Sequence, residues 1–224
     1  DFQGSRGLGD VYKRQDSTPD SVAIYFEDKE ITYRELINGA NQYSHWFLDN
    51  GLQKGDVVAL LMENRPEFLM AWIGIAQVGG TSALINTNLT GHPLNHSLRI
   101  SGASKLILGK ELISNFETTD DTVKGSFQVW VEGDINKQDY NNLGLTLENL
   151  SIVMPAIDYD VTNEDVALYI YTSGTTGDPK AATITHRRLR LMLMGFASAV
   201  VPKKTDRIYN CLLYTSDAAD ESRG

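Results

Sequence analysis

A chain of 224 residues, 42% hydrophobic and 22% charged, is long enough to bury a sizeable core and has the composition of an ordinary globular protein. Its net charge of −9 speaks against a nucleic-acid surface, which needs clustered Lys and Arg, but leaves room for a small anion site built from backbone N–H groups. The single cysteine, Cys211, excludes an intrachain disulfide framework or a cysteine-rich zinc site.

The chain opens on a segment, Ser5 to Gln15, that reads as a translated sequencing adapter. Cys211 to Glu221 reads as the reverse complement of the same adapter. Neither end keeps a helical or strand period, and segments of this kind are set aside before fold reasoning. Residues 1–15 and 211–224 are therefore expected to be artefacts, and 16–210 to be part of one domain. Without Cys211 no redox argument remains.

Val22 to Phe26 and Glu30 to Thr32 are short β-prone runs flanking Glu27-Asp28-Lys29, and they predict a hairpin. Thr32-Tyr-Arg-Glu35 has the form of a capping box and predicts a helix start. Leu36, Ala40, Tyr43 and Phe47 then share one helical face, and Asn50-Gly51 ends the helix. Val57 to Met62 is a continuous apolar run, the pattern of a strand buried on both faces. Asn64-Arg-Pro66 starts a second helix, whose buried side is Phe68, Ala71, Trp72, Ile75 and Ala76, with Gly79-Gly80 as its stop. Thr81 to Ile85 predicts a strand, Pro93 to Leu98 a short helix, and Lys105 to Leu108 another strand. Strand, helix, strand, helix, strand implies crossover units and an α/β fold with a parallel or mixed sheet and flanking helices.

Gln128 to Val131 predicts one more strand. Asp134 to Leu147 is polar and reads as a surface excursion, while Asp120-Asp121 and Glu132 to Asp139 read as solvated acidic loops. Val166 to Thr172 is β-rich and leads into a loop that concentrates glycines and hydroxyls, Ser173-Gly-Thr-Thr-Gly177. Ala181 to Thr185 follows as a strand. Leu189 to Val201 is the longest apolar stretch; it falls short of a membrane span and carries Arg190 near its start.

The loop carries chemistry. Glycine lets the backbone approach a ligand closely, and successive N–H groups can form an anion-binding concavity. Ser173, Thr175 and Thr176 add O–H donors, and Lys180 adds a mobile point charge. Charge-assisted bonds of this kind contribute roughly 1.5–3 kcal/mol each, so a few of them would hold a triphosphate. The loop is not a Walker A motif, which opens a helix; here Pro179 precedes Lys180 and a strand follows. Gly-Thr-Thr-Gly alone fits an ordinary hairpin turn better than a ligand site. The ten-residue string around it does not.

That string, Tyr171-Thr-Ser-Gly-Thr-Thr-Gly-Asp-Pro-Lys180, resembles the signature of adenylate-forming (AMP-binding) enzymes: acyl-CoA synthetases, luciferases and peptide-synthetase adenylation domains. Within that group the chain is most similar to the very long-chain acyl-CoA synthetases, also called fatty-acid transport proteins. The narrower likeness rests on Glu63-Asn-Arg-Pro-Glu-Phe68 with Trp72 and Gly74, on Asn86-Thr-Asn-Leu89 with Pro93-Leu94 and His96, and on Tyr169-Ile-Tyr171 and Lys180-Ala-Ala182 flanking the loop. It implies the N-terminal part of the large domain of such an enzyme, and an incomplete one. It implies a ligase that activates a long- or very-long-chain fatty acid with ATP, through an acyl-adenylate, and passes it to coenzyme A. Thr172, Ser173, Gly174, Thr175, Thr176, Gly177 and Lys180 would hold the ATP phosphates, with Mg²⁺ bridging phosphate oxygens. The same resemblance implies an intracellular, membrane-associated setting (endoplasmic reticulum, peroxisome or plasma membrane) and a coupling to fatty-acid uptake.

Two positions depart from the pattern. Asp178 stands where many relatives have Leu, and the helix after His186 begins Arg187-Arg-Leu-Arg190 where the transport proteins often have aromatic residues. The family's adenine-binding and acyl-binding segments, its metal-binding acid and its catalytic lysine domain all fall beyond Asn210, so no catalytic residue is assigned and the 224 residues alone are expected to be inactive and to expose an apolar surface. Two other readings stay open: an adenylate-forming ligase acting on a non-fatty carboxylate, and a non-catalytic nucleotide- or lipid-binding remnant. His45, His92, His96 and His186 show no metal-ligand spacing, and for His96 a packing role outweighs a catalytic one. Trp46, Trp72 and Trp130 read as core or half-buried residues. Arg187, Arg188 and Arg190 read as a solvated helix face before an anionic-lipid contact.

Overall fold

Thr32 closes the first hairpin and opens the first long helix. Strand β1 (Val22–Phe26) pairs antiparallel with β2 (Lys29–Thr32), and helix α1 runs from Tyr33 to Asp49. The capping box is complete: Thr32 Oγ1 accepts from the Glu35 N–H at 3.1 Å, and the Thr32 N–H donates to Glu35 Oε2 at 2.8 Å. Leu36, Ala40, Tyr43 and Phe47 are all buried. The computed structural model describes residues 17–135, 140–174, 177–201, 203 and 206–209; for residues 172–174, 177 and 178 only the backbone is described. The two ends read as adapter-derived, residues 1–15 and 211–224, lie outside the described residues.

The remaining elements are β3 (Val57–Leu61), α2 (Pro66–Gln77), β4 (Thr81–Leu84), α3 (Gly91–Ser101), β5 (Lys105–Gly109), the short helices α4 (Ile113–Glu117) and α5 (Asp121–Lys124), β6 (Gln128–Glu132), β7 (Asn141–Asn142), α6 (Leu143–Leu147), β8 (Val166–Gly174), β9 (Gly177–Thr185) and α7 (His186–Val200). Among the described residues a seven-stranded sheet has the order β7-β6-β5-β3-β4-β8-β9. Every pairing in it is parallel except β8 with β9. The mixed α/β sheet expected from the alternation is the fold observed.

The apolar run of β3 explains the layering. Val58, Leu60 and Met62 point into one core with Tyr43, Trp46, Phe47 and Ile75, beneath α1 and α2. Ala59 and Leu61 point into the other with Leu94, Leu98, Leu106 and Phe116, beneath α3 and α4. A strand covered on both faces needs apolar residues at every position, not alternate ones. On the first face Trp46 meets Trp130 edge-on, with ring centroids 4.9 Å apart. The described residues divide into two compact units, the first ending at Arg190 and the second beginning at Leu191. The sheet belongs to the first. In the second, Leu191, Met192, Leu193, Met194 and Phe196 of α7 are exposed. No described helix is long and apolar enough to cross a membrane.

Three expectations are corrected. The polar stretch from Asp134 to Leu147 is not wholly a surface excursion: its last part forms β7 and α6, and Leu143 and Leu147 enter the core. Residues 136–139 within it lie outside the described residues. Asp121 begins helix α5, and only Asp120 precedes it in extended backbone. Glu132 is buried, not solvated. For Leu143, Leu147 and Glu132 distant partners in the packed chain impose the burial; Asp121 is exposed as expected, and only its assignment to a loop changes.

Candidate functional site at the carboxyl ends of the strands

In a parallel sheet the ends of the strands are chemically distinct, and ligands gather beyond the carboxyl ends. The stretches singled out in the sequence lie there. Glu63 to Phe68 follows β3, Asn86 to Leu89 follows β4, and Tyr171 to Lys180 begins in β8 and turns back into β9. β8 is parallel to β4 only as far as Ile170, opposite Leu84, and runs on to Gly174. The hairpin therefore projects past the end of its neighbour. Its register brings Thr172 opposite Lys180 and Gly174 opposite Gly177, with an irregularity between Thr172 and Gly174. Strand, loop and strand was the expected context. Both strands reach further into the loop than their β-branched residues indicate, because the backbone pairing continues through the glycines.

Of the expected phosphate-binding residues, Thr175 and Thr176 lie outside the described residues, as do the side chains of Thr172 and Ser173; the side chain of Asp178, which departs from the family pattern, lies outside them too. Lys180 is exposed. Tyr171 is partly buried at the base of the hairpin. Among the described residues its buried hydroxyl has no hydrogen-bond partner, and burial, with a smaller contribution from Tyr169, pushes its pKa up to about 12.

Arg65 braces the carboxyl ends of three strands. Its Nη1 donates to Glu111 Oε2 at 3.1 Å and its Nη2 to the Glu132 carbonyl at 2.9 Å. Glu111 Oε1 in turn accepts from the Glu63 N–H at 3.0 Å. Beside this brace the Tyr43 hydroxyl donates to Glu132 Oε2 at 2.6 Å. Burial holds the Glu132 carboxyl above the ordinary glutamate range, although the Tyr43 bond and the Arg65 charge oppose it. Burial also raises the Tyr43 phenol well above its usual value, and the Glu132 charge adds to that. Sequence reasoning missed this network; Glu132 looked like the start of a polar loop.

After β4, Asn86 Oδ1 accepts from the Asn88 N–H at 2.9 Å, and Asn115 Nδ2 donates to the carbonyls of Thr87 and Leu89 at 3.0 and 3.3 Å. Asn86, Thr87 and Leu89 are thus fixed as a rigid turn. His96 Nε2 on α3 lies 3.2 Å from the Pro179 carbonyl oxygen, a polar contact between that helix and β9. His45 contacts the Val153 carbonyl at 2.8 Å, and His186 is buried at the start of α7. Among the described residues no group of three or more His, Cys, Asp or Glu is gathered to hold a metal.

Comparison with known proteins gives these positions a context. A family model described as AMP-binding enzyme matches residues 11–217. Long-chain fatty acid transport protein 1 of Homo sapiens is 35% identical over 190 residues, which are 83% of this chain and 29% of that protein. The chain thus spans about three-tenths of the length of that relative. Among solved structures, a Mycobacterium tuberculosis fatty acyl CoA synthetase superposes with a TM-score of 0.70 at 26% identity, covering 83% of this chain and 36% of that one. The anthranilate CoA ligase AuaEII, solved with anthranoyl-AMP, superposes with a TM-score of 0.74 over 81% of this chain and 35% of that one; at 24% identity it speaks for the fold alone.

Proposed function

The chain belongs to the AMP-binding enzyme family, and from that premise we propose that it forms the phosphate-binding portion of an ATP-dependent acyl-CoA ligase acting on a long-chain fatty acid. The reading is carried by one observation: the Tyr171 to Lys180 hairpin projects beyond the carboxyl end of β4, beside the turn of Asn86 to Leu89. A fatty carboxylate would attack the α-phosphorus of ATP, forming acyl-adenylate and releasing pyrophosphate, and a coenzyme A thiolate would then displace AMP. In this scheme Lys180 supplies positive charge to the phosphates. Thr172, Ser173, Gly174, Thr175, Thr176 and Gly177 supply hydroxyl and backbone donors. Mg²⁺ would ride on the phosphate oxygens, a mode that asks for few protein ligands. The fatty acid as substrate is drawn from the likeness to the long-chain fatty acid transport protein.

Titration of MgATP onto the purified 224-residue chain tests the phosphate site. Lys180→Ala should weaken binding by about ten- to a hundred-fold, the range for one lost charge-assisted hydrogen bond. Equal affinities in the two proteins would remove Lys180 from the site. Substrate class is tested in a longer protein carrying this segment, by carboxylate-dependent ATP–pyrophosphate exchange. Exchange supported by palmitate and not by anthranilate or amino acids is the expected result, and the reverse preference would sink the fatty-acid reading.

A further inference from the structure

β9 lies at the edge of the sheet, and an edge strand leaves every second peptide group without a sheet partner. Pro179 lies in it, as a strand proline is confined to edges. Its carbonyl is taken by a side chain: His96 Nε2 lies 3.2 Å from the Pro179 oxygen. A carbonyl can only accept, so Nε2 carries the proton. The helix that offers this donor is itself fixed. Leu94 and Leu98 are fully buried, Asn95 Oδ1 accepts from the Asp120 N–H at 3.0 Å, and the Gly91 N–H donates to Thr118 Oγ1 at 2.6 Å. His96 therefore ties a rigid helix to the return strand of the hairpin.

The tie has a specific consequence. The Pro179 carbonyl and the Lys180 N–H belong to one planar peptide unit, and in a trans unit they point in opposite directions. Holding the carbonyl toward α3 turns the Lys180 N–H away from α3 and sets the rotation of the unit from which the Lys180 side chain departs. We propose that His96 is a positioning residue that holds the peptide plane of Lys180 and so presents its ammonium group to a bound triphosphate. This rests on the reading of the Tyr171 to Lys180 hairpin as a phosphate site. It gives His96 a task without placing it in contact with a substrate.

The experiment compares the wild-type chain with His96→Leu, which keeps the bulk and loses the donor, and His96→Gln, whose amide can donate to the same carbonyl. Hydrogen exchange is followed across residues 177–183 and, as an internal control, across β3 and β5, while MgATP is titrated onto each protein. His96→Leu should speed exchange in the hairpin by about two- to ten-fold, the range that one hydrogen bond gives, and leave β3 and β5 unchanged. MgATP binding should weaken by a similar factor, and His96→Gln should recover most of both losses. Unchanged hairpin exchange in His96→Leu overturns the proposal. So does acceleration spread over the whole sheet, or a His96→Gln variant no better than His96→Leu. If wild type binds no MgATP while the exchange contrast persists, the presentation of Lys180 to phosphate falls and the tie between α3 and β9 stands.

Discussion

At the scale of single residues, the most informative group is Glu132. A carboxylate buried beside Tyr43 and Arg65 titrates above its solution value because desolvation outweighs its partners. The sign for stability follows from proton binding. Between the ordinary glutamate value of 4.5 and the raised folded value, the native state holds a proton that the unfolded state has released. Stability therefore falls as pH rises through that window, and the loss is complete above it. Urea unfolding as a function of pH should show this falling limb, and Glu132→Gln should flatten it. A limb of the same slope in the variant would assign the effect elsewhere. Nothing in the sequence around Glu132 announces the burial. Its partner Tyr43 is 89 positions away, and a separation of that kind is closed only by the sheet.

At the scale of elements, α1 and α2 show how much was legible. Capping box, apolar face and stop signals marked α1 to within a residue, since all three are local features of the chain. The contact between the helices was not legible. Gly74 lies where α2 meets α1: a Cβ there would stand 2.7 Å from Tyr43 Cβ and 2.8 Å from the Ala40 carbonyl oxygen. Backbone and a buried aromatic stem cannot yield cheaply. Gly74→Ala should therefore destabilise the fold by about 1–3 kcal/mol through overpacking, measurable as a lowered urea midpoint. A neutral result would mean that the helices separate without cost. The hairpin of β8 and β9 belongs to the same scale. Its β-branched and aromatic runs predicted two strands and a loop; the pairing of Gly174 with Gly177 needed the backbone geometry.

At the scale of the whole molecule, helix α7 raises a question of solvation. Leu191, Met192, Leu193 and Met194 are consecutive and each is at least half exposed, so apolar groups face solvent around most of the helix. A helix apolar on all sides is ordinarily buried, and contiguous exposed apolar surface drives association. The 224-residue chain should bind a hydrophobic dye and self-associate. Leu193→Gln combined with Phe196→Ser should reduce both, read by dye fluorescence and light scattering. A monodisperse wild-type chain without dye binding would contradict the exposure of this helix. What the sequence alone determined is the α/β alternation, the boundaries of the capped helix and the strand–loop–strand setting of the Ser173 to Gly177 segment, because period, caps and glycine-hydroxyl clusters are written in neighbouring residues. The tertiary structure decided what depends on distant partners. It gathered the ends of β3, β4 and β8 on one side of the sheet, buried Glu132 against Tyr43, and brought His96 to the carbonyl of Pro179, a bond between residues 83 positions apart. Burial and long-range hydrogen bonding are properties of the packed chain, and no window of sequence contains them.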